Sequence, residues 1–157
     1  MKKLTAVFVV ACVFTLFGVG SAQAAESGTA RPFRCDGTGT FVFDPGAGTV
    51  SFSNVQVCTH LGLSTSQGSG SFSSSGGSFS FPWVAANGDV LKSTVVSTVS
   101  ELTQTSFTLT NAITFNGGTG RFQEASGSVM SVDHATISPD NPLVYTNTFT
   151  AEGTISY

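Results

Sequence analysis

Phe41-Val42-Phe43-Asp44-Pro45-Gly46-Ala47-Gly48-Thr49-Val50-Ser51-Phe52 is the stretch that decides the fold. Each flank alternates, Phe41 and Phe43 about Val42 and Val50 and Phe52 about Ser51, the period of a strand with one face buried. Between them Asp44 to Thr49 is a cluster of turn formers. Counting outward from its centre, between Gly46 and Ala47, sets Phe43 opposite Val50, Phe41 opposite Phe52 and Cys35 opposite Cys58, all on one face. The register therefore predicts a cross-strand Cys35–Cys58 disulfide. Closing so long a hairpin contributes roughly 3 kcal/mol by loop entropy.

The cysteine count agrees. Of three cysteines, Cys12 lies in an N-terminal leader, which leaves Cys35 and Cys58 to pair with each other. No CxxC or HxxxH spacing offers a metal site, and His60 and His134 are far apart in sequence, so no metal or other cofactor is expected.

The leader is read from Lys2 and Lys3, an apolar run from Leu4 to Val19, and the small-x-small pattern Ala22-Gln23-Ala24. This is the pattern of a cleaved Sec-type signal peptide over residues 1–24, with export to a periplasm or the extracellular medium. Val9-Val10-Ala11-Cys12 looks like a lipoprotein box, but the apolar run continues past Cys12 where such a box turns polar. Residues 25–34 then read as an N-terminal extension and 35–157 as the single folded domain.

Composition narrows the class further. Only 10% of the 157 residues are charged, while 22 Ser, 21 Thr and 18 Gly favour strands and turns over helices. The 40% apolar content, with 14 Phe, excludes a disordered chain. After the leader, four basic residues (Arg31, Arg34, Lys92, Arg121) face nine acidic ones. No Lys/Arg cluster exists to displace counterions from a phosphate backbone or to hold an anionic membrane, so neither nucleic acid nor membrane is an expected partner of the processed chain.

Alternation and turn signals recur about every ten residues, which gives strands near 37–44, 49–58, 68–74, 77–85, 90–99, 105–116, 121–133 and 144–156. Asn87-Gly88 reads as a type I′ hairpin. Asn116-Gly117-Gly118-Thr119-Gly120-Arg121 reverses the chain, with Gly117, Gly118 and Gly120 serving the turn and Phe115 set opposite Phe122. Pro139-Asp140 to Pro142 marks a longer loop, and Ser69 to Ser80 reads as a Ser/Gly-rich hairpin with Phe72, Phe79 and Phe81 inside. Eight sequential antiparallel strands hide their edges by closing, so the fold class is all-β, a single eight-stranded antiparallel barrel. An outer-membrane barrel is the rival architecture. One Trp and two Tyr do not supply two aromatic girdles, and Ser51 and Ser53 put polar groups on the outer face.

Gly117-Gly118-Thr119-Gly120-Arg121-Phe122, followed by Ala125-Ser126-Gly127, resembles the signature hairpin of the allene oxide cyclase and dirigent barrels. The Asn87-Gly88-Asp89 turn and the closing Gly153-Thr154-Ile155-Ser156-Tyr157 extend the similarity over most of residues 35–157. The resemblance implies a calycin-like barrel with an apolar cavity. The cyclases carry Glu, Asn and Ser on early strands, and no such set aligns onto Phe41 to Cys58, so the resemblance does not carry an enzymatic activity here.

Local chemistry points the same way. There is no GxSxG or HExxH, no Lys-Ser or Lys-Thr follows the glycines as a phosphate loop requires, and adjacent Asp133 and His134 point to opposite faces. The expected function is an exported barrel that binds a small lipophilic or phenolic ligand without catalysis. The alternatives are an isomerase or cyclase on the same barrel and a solidly packed structural or surface-interaction barrel. Candidate ligand-binding residues are Trp83, which serves either as a stacking platform or as core, with Phe115 and Phe122. Glu124 joins them: pairing across the glycine turn sets it opposite Ile113 on the inner face, where burial would raise its pKa, unless a bulge turns it outward.

Overall fold

The computed structural model describes residues 28–157, so the leader read at 1–24 lies outside the described residues. The eight strands are β1 (Arg31–Asp44), β2 (Thr49–Cys58), β3 (Gly62–Ser73), β4 (Gly76–Ala85), β5 (Val90–Leu102), β6 (Ser106–Gly118), β7 (Ser126–Ser138) and β8 (Asn141–Ser156). Each pairs antiparallel with the next and β8 pairs with β1, giving a closed eight-stranded barrel.

The β1–β2 hairpin has the register its turn dictates: Phe43 faces Val50, Phe41 faces Phe52 and Cys35 faces Cys58. A disulfide joins the two cysteines. The turn is held by Asp44, whose Oδ1 accepts from the amides of Gly46 and Ala47 at 3.0 Å each, while Gly48 takes φ 65°. Along β2 the alternation is complete, with Val50, Phe52, Asn54, Gln56 and Cys58 buried and the residues between them exposed.

One end of the barrel is plugged. Phe33, Leu91, Phe122 and Ile155 are fully buried, and Trp83 and Phe115 nearly so. The Phe33 ring lies 4.9 Å from Phe115 and 6.2 Å from Trp83, edge-on to the latter. The Trp83 indole N–H donates to Ser93 Oγ at 3.0 Å, so the one polar atom of this large ring is satisfied. Each such phenylalanine contributes about 1.5–3 kcal/mol of burial.

Several expectations are corrected. The barrel starts at Arg31, so Arg31 to Arg34 belong to β1 rather than to an extension, because Phe33 is needed in the plug. Strand β3 starts at Gly62 and β8 at Asn141, leaving only Pro139-Asp140 between β7 and β8. The Asn87-Gly88 turn is not type I′. Among the described non-glycine residues only His60 has positive φ, so Gly88 alone takes the left-handed step, at φ 85°, after a turn closed by the Gly88 N–H to Ala85 O bond.

The largest correction follows the glycines. Gly117 and Gly120 take φ 72° and 56°, and Gly120–Phe122 forms a 3-10 turn. Further turn bonds, from Gln123 N to Gly120 O and from Ala125 N to Phe122 O, carry the chain on to β7. Phe115 therefore faces Gly127 instead of Phe122, and Ile113 faces Val129 instead of Glu124. The displacement is an odd number of residues, so the faces of β7 exchange: Val129, Ser131, Asp133 and Ala135 point inward.

Candidate functional site

The end opposite the plug is closed by aromatic rings packed against one another beneath a surface concavity. Phe43 on β1, Phe72 on β3, Phe107 on β6 and Tyr145 on β8 gather there. Phe43 is 5.3 Å from Phe72 and 5.3 Å from Tyr145, and Phe107 is 5.0 Å from Tyr145. With Val99, Leu102, Leu143, Pro45 and Pro142 they surround a concavity of about 330 Å³. That volume lies at the lower end of small-molecule sites. Leu102 and Leu143 on its rim are 62% and 43% exposed, an apolar surface that would be covered by a bound molecule. The polar groups at the rim are the Tyr145 hydroxyl and the serines Ser73 and Ser74.

Deeper in, Phe41, Phe79 and Phe107 separate the mouth from an inner cavity of about 40 Å³. Around it runs a buried polar network. Ser97 donates to Asn111 Oδ1. The Asn111 amide donates to Ser131 Oγ and to Asp133 Oδ1, and Ser131 donates to the same carboxylate oxygen, each at 2.8 Å. Burial raises the Asp133 pKa from 3.8 to about 6, opposed by the hydrogen bonds from Ser131 and Asn111 and by the nearby His134. Asn54 reaches Ser66 only at 3.5 Å, and its Oδ1 has no hydrogen-bond partner among the described residues. The buried amides of Gln56 and Asn147 have none either.

Of the residues singled out in the sequence, Trp83 lines the inner cavity, and Phe115 and Phe122 pack in the plug. Glu124 is exposed in the turn before β7, outside the barrel, because the 3-10 turn displaces it from the ladder. Gly117, Gly118 and Gly120 sit at that turn, and Cys35 and Cys58 form the disulfide. His134 is exposed and bonded to Thr108 at 3.2 Å. His60 Nε2 donates to Pro32 O at 2.9 Å, and its Nδ1 accepts from the Tyr157 hydroxyl at 3.2 Å.

Sequence reasoning missed the mouth and the polar network. The mouth is made of residues next to turns, where alternation is shortest. In Val129-Met130-Ser131-Val132-Asp133 both parities carry apolar residues, so alternation does not orient the strand. The chain was compared with protein-family models, with curated proteins and with solved structures, and nothing matches in any of the three.

Proposed function

We propose that this protein is an exported, non-catalytic barrel that holds a small lipophilic or phenolic molecule in its aromatic mouth. The observation that carries the reading is the four-ring cluster of Phe43, Phe72, Phe107 and Tyr145 around a 330 Å³ concavity. Covering about 200 Å² of apolar ligand surface there contributes on the order of 5 kcal/mol, before the association entropy is subtracted. A phenolic hydroxyl finds Tyr145, Ser73 or Ser74 at the rim. The Cys35–Cys58 disulfide fits an oxidising location, and the Lys2-Lys3 leader supports export. The closed eight-stranded barrel is compatible with kinship to the allene oxide cyclase and dirigent barrels, which remains part of the proposal.

A second reading, an isomerase on the same barrel, is favoured by Asp133, a carboxyl poised near pH 6 among Asn111 and Ser131. It requires substrate to pass the Phe41, Phe79 and Phe107 rings.

The test is a fluorescence titration with N-phenyl-1-naphthylamine. Saturable binding that Phe43→Ser or Tyr145→Ser weakens at least about tenfold, the loss of a buried ring contact, supports the reading. Absence of binding to the folded protein, or binding indifferent to both substitutions, removes the mouth as the site.

A further inference from the structure

The charged side chains divide along the barrel axis. Every described Lys and Arg stands within two residues of a buried ring or aliphatic group of the plug: Arg31 and Arg34 flank Phe33, Lys92 follows Leu91, and Arg121 precedes Phe122. Their charge is answered locally. Arg34 pairs with Glu152 at 3.5 Å, Arg121 pairs with Asp89 at 3.3 Å, and Arg31 lies over the Tyr157 ring at 5.0 Å from its centroid. Asp36 and Glu124 share this half of the barrel, so acids and bases balance there.

The mouth end does not balance. It holds three exposed carboxylates and, among the described residues, no Lys or Arg. Asp44 stands between Phe43 and Pro45, Glu101 precedes Leu102, and Asp140 lies two residues before Pro142; all four of those neighbours line the concavity. Consecutive Cα atoms are about 3.8 Å apart, so the backbone of each acid lies within about 8 Å of the lining. None of the three joins an ion pair among the described residues. Asp44 Oδ1 accepts from the Gly46 and Ala47 amides, and Glu101 accepts from the Thr108 hydroxyl at 3.3 Å, bonds that leave the negative charge in place. His134 reaches the same Thr108 from the outer face of β7 and does not line the concavity.

We propose that the ligand of the mouth is a lipophilic cation, an aryl- or alkylammonium whose apolar part lies on the rings and whose charged group stays at the acidic rim. The proposal rests on the mouth reading and narrows its ligand class. An ammonium held at the rim keeps its contact with water, so no charge is buried without a partner. The rings of Phe43, Phe72, Phe107 and Tyr145 favour the same sign, because an aromatic face attracts a cation within about 6 Å. A carboxylate about 8 Å from a cation in water changes affinity about twofold, and three together about tenfold before screening. An anion of the same size is disfavoured by the same charges.

Three naphthalenes of nearly one size are the probes: 1-naphthylmethylamine, 1-naphthylmethanol and 1-naphthoate, which at pH 7 are cation, neutral molecule and anion. Calorimetric titration at about 10 mM salt is expected to show the amine binding about fivefold tighter than the alcohol and the naphthoate at least about fivefold weaker than the alcohol. At 1 M salt, where the screening length is about 3 Å, the three affinities should converge to within about twofold. Asp44→Asn/Glu101→Gln/Asp140→Asn, which changes only exposed groups, should abolish the advantage of the amine and leave the alcohol unchanged. Lys92→Gln, at the plug end, should alter neither. Alcohol binding that Tyr145→Ser weakens, with the amine no tighter than the alcohol, overturns the cation proposal and keeps the mouth reading. An amine preference that survives the triple substitution overturns it equally. Failure of all three probes to bind the folded protein overturns both.

Discussion

Asn111 on β6 donates its amide to the Asp133 carboxylate on β7 at 2.8 Å, and the same amide donates to Ser131, so two neighbouring strands share one buried polar knot. Asp133 is only 7% exposed, and its neighbours compensate burial only in part. The consequence is a pH dependence opposite to that of a salt-bridged carboxylate. Because the folded-state pKa is raised from 3.8 to about 6, the native state holds the proton more tightly than the unfolded chain between those values. Stability therefore falls as pH rises through this window, by about 3 kcal/mol in total. Urea unfolding at pH 4.5 and pH 8 should show the wild type weaker at pH 8. Asp133→Asn should remove most of that difference; an unchanged difference would assign it to another group.

Phe33 tests where the barrel begins. It is fully buried against Phe115 and Trp83 although it precedes the disulfide. Phe33→Ala should cost about 3–5 kcal/mol in chemical denaturation, the range for a buried aromatic ring. A loss below 1 kcal/mol would mean that the segment before Cys35 is not part of the core.

Gly120 takes φ 56°, and a Cβ there would collide with the Asp89 carboxylate, which also pairs with Arg121 at 3.3 Å. Gly120→Ala should destabilise by about 1–3 kcal/mol through backbone strain and displacement of Asp89. Naphthylamine binding at the opposite end should be unaffected. Lost binding in a variant of normal stability would give the turn a ligand role instead of a structural one.

These residues show how far the sequence could be read. The β1–β2 hairpin was legible to the residue, because Asp44 to Thr49 fixes a turn centre and the phenylalanines around it fall on one face of the pair. That register alone placed Cys35 opposite Cys58. Closure into a barrel followed from the number of strands. What escaped was the face of β7: a turn of unknown length between Gly117 and Ser126 sets its parity, and Val129, Met130 and Val132 fit either side. That parity error moved Glu124 inward and turned Asp133 outward. The mouth escaped for a different reason, since Phe43, Phe72, Phe107 and Tyr145 come from four separate strands and meet only on closure.

The most direct measurement of the central claim is a chemical-shift titration of isotopically labelled protein with 1-naphthol, a molecule both apolar and phenolic. The account predicts saturable shifts at Phe43, Phe72, Phe107 and Tyr145, with Phe33, Phe115 and Phe122 in the plug unmoved. Saturable shifts centred on the plug residues, or none at the mouth at millimolar ligand, where even an affinity of about 4 kcal/mol gives half-occupancy, would contradict it.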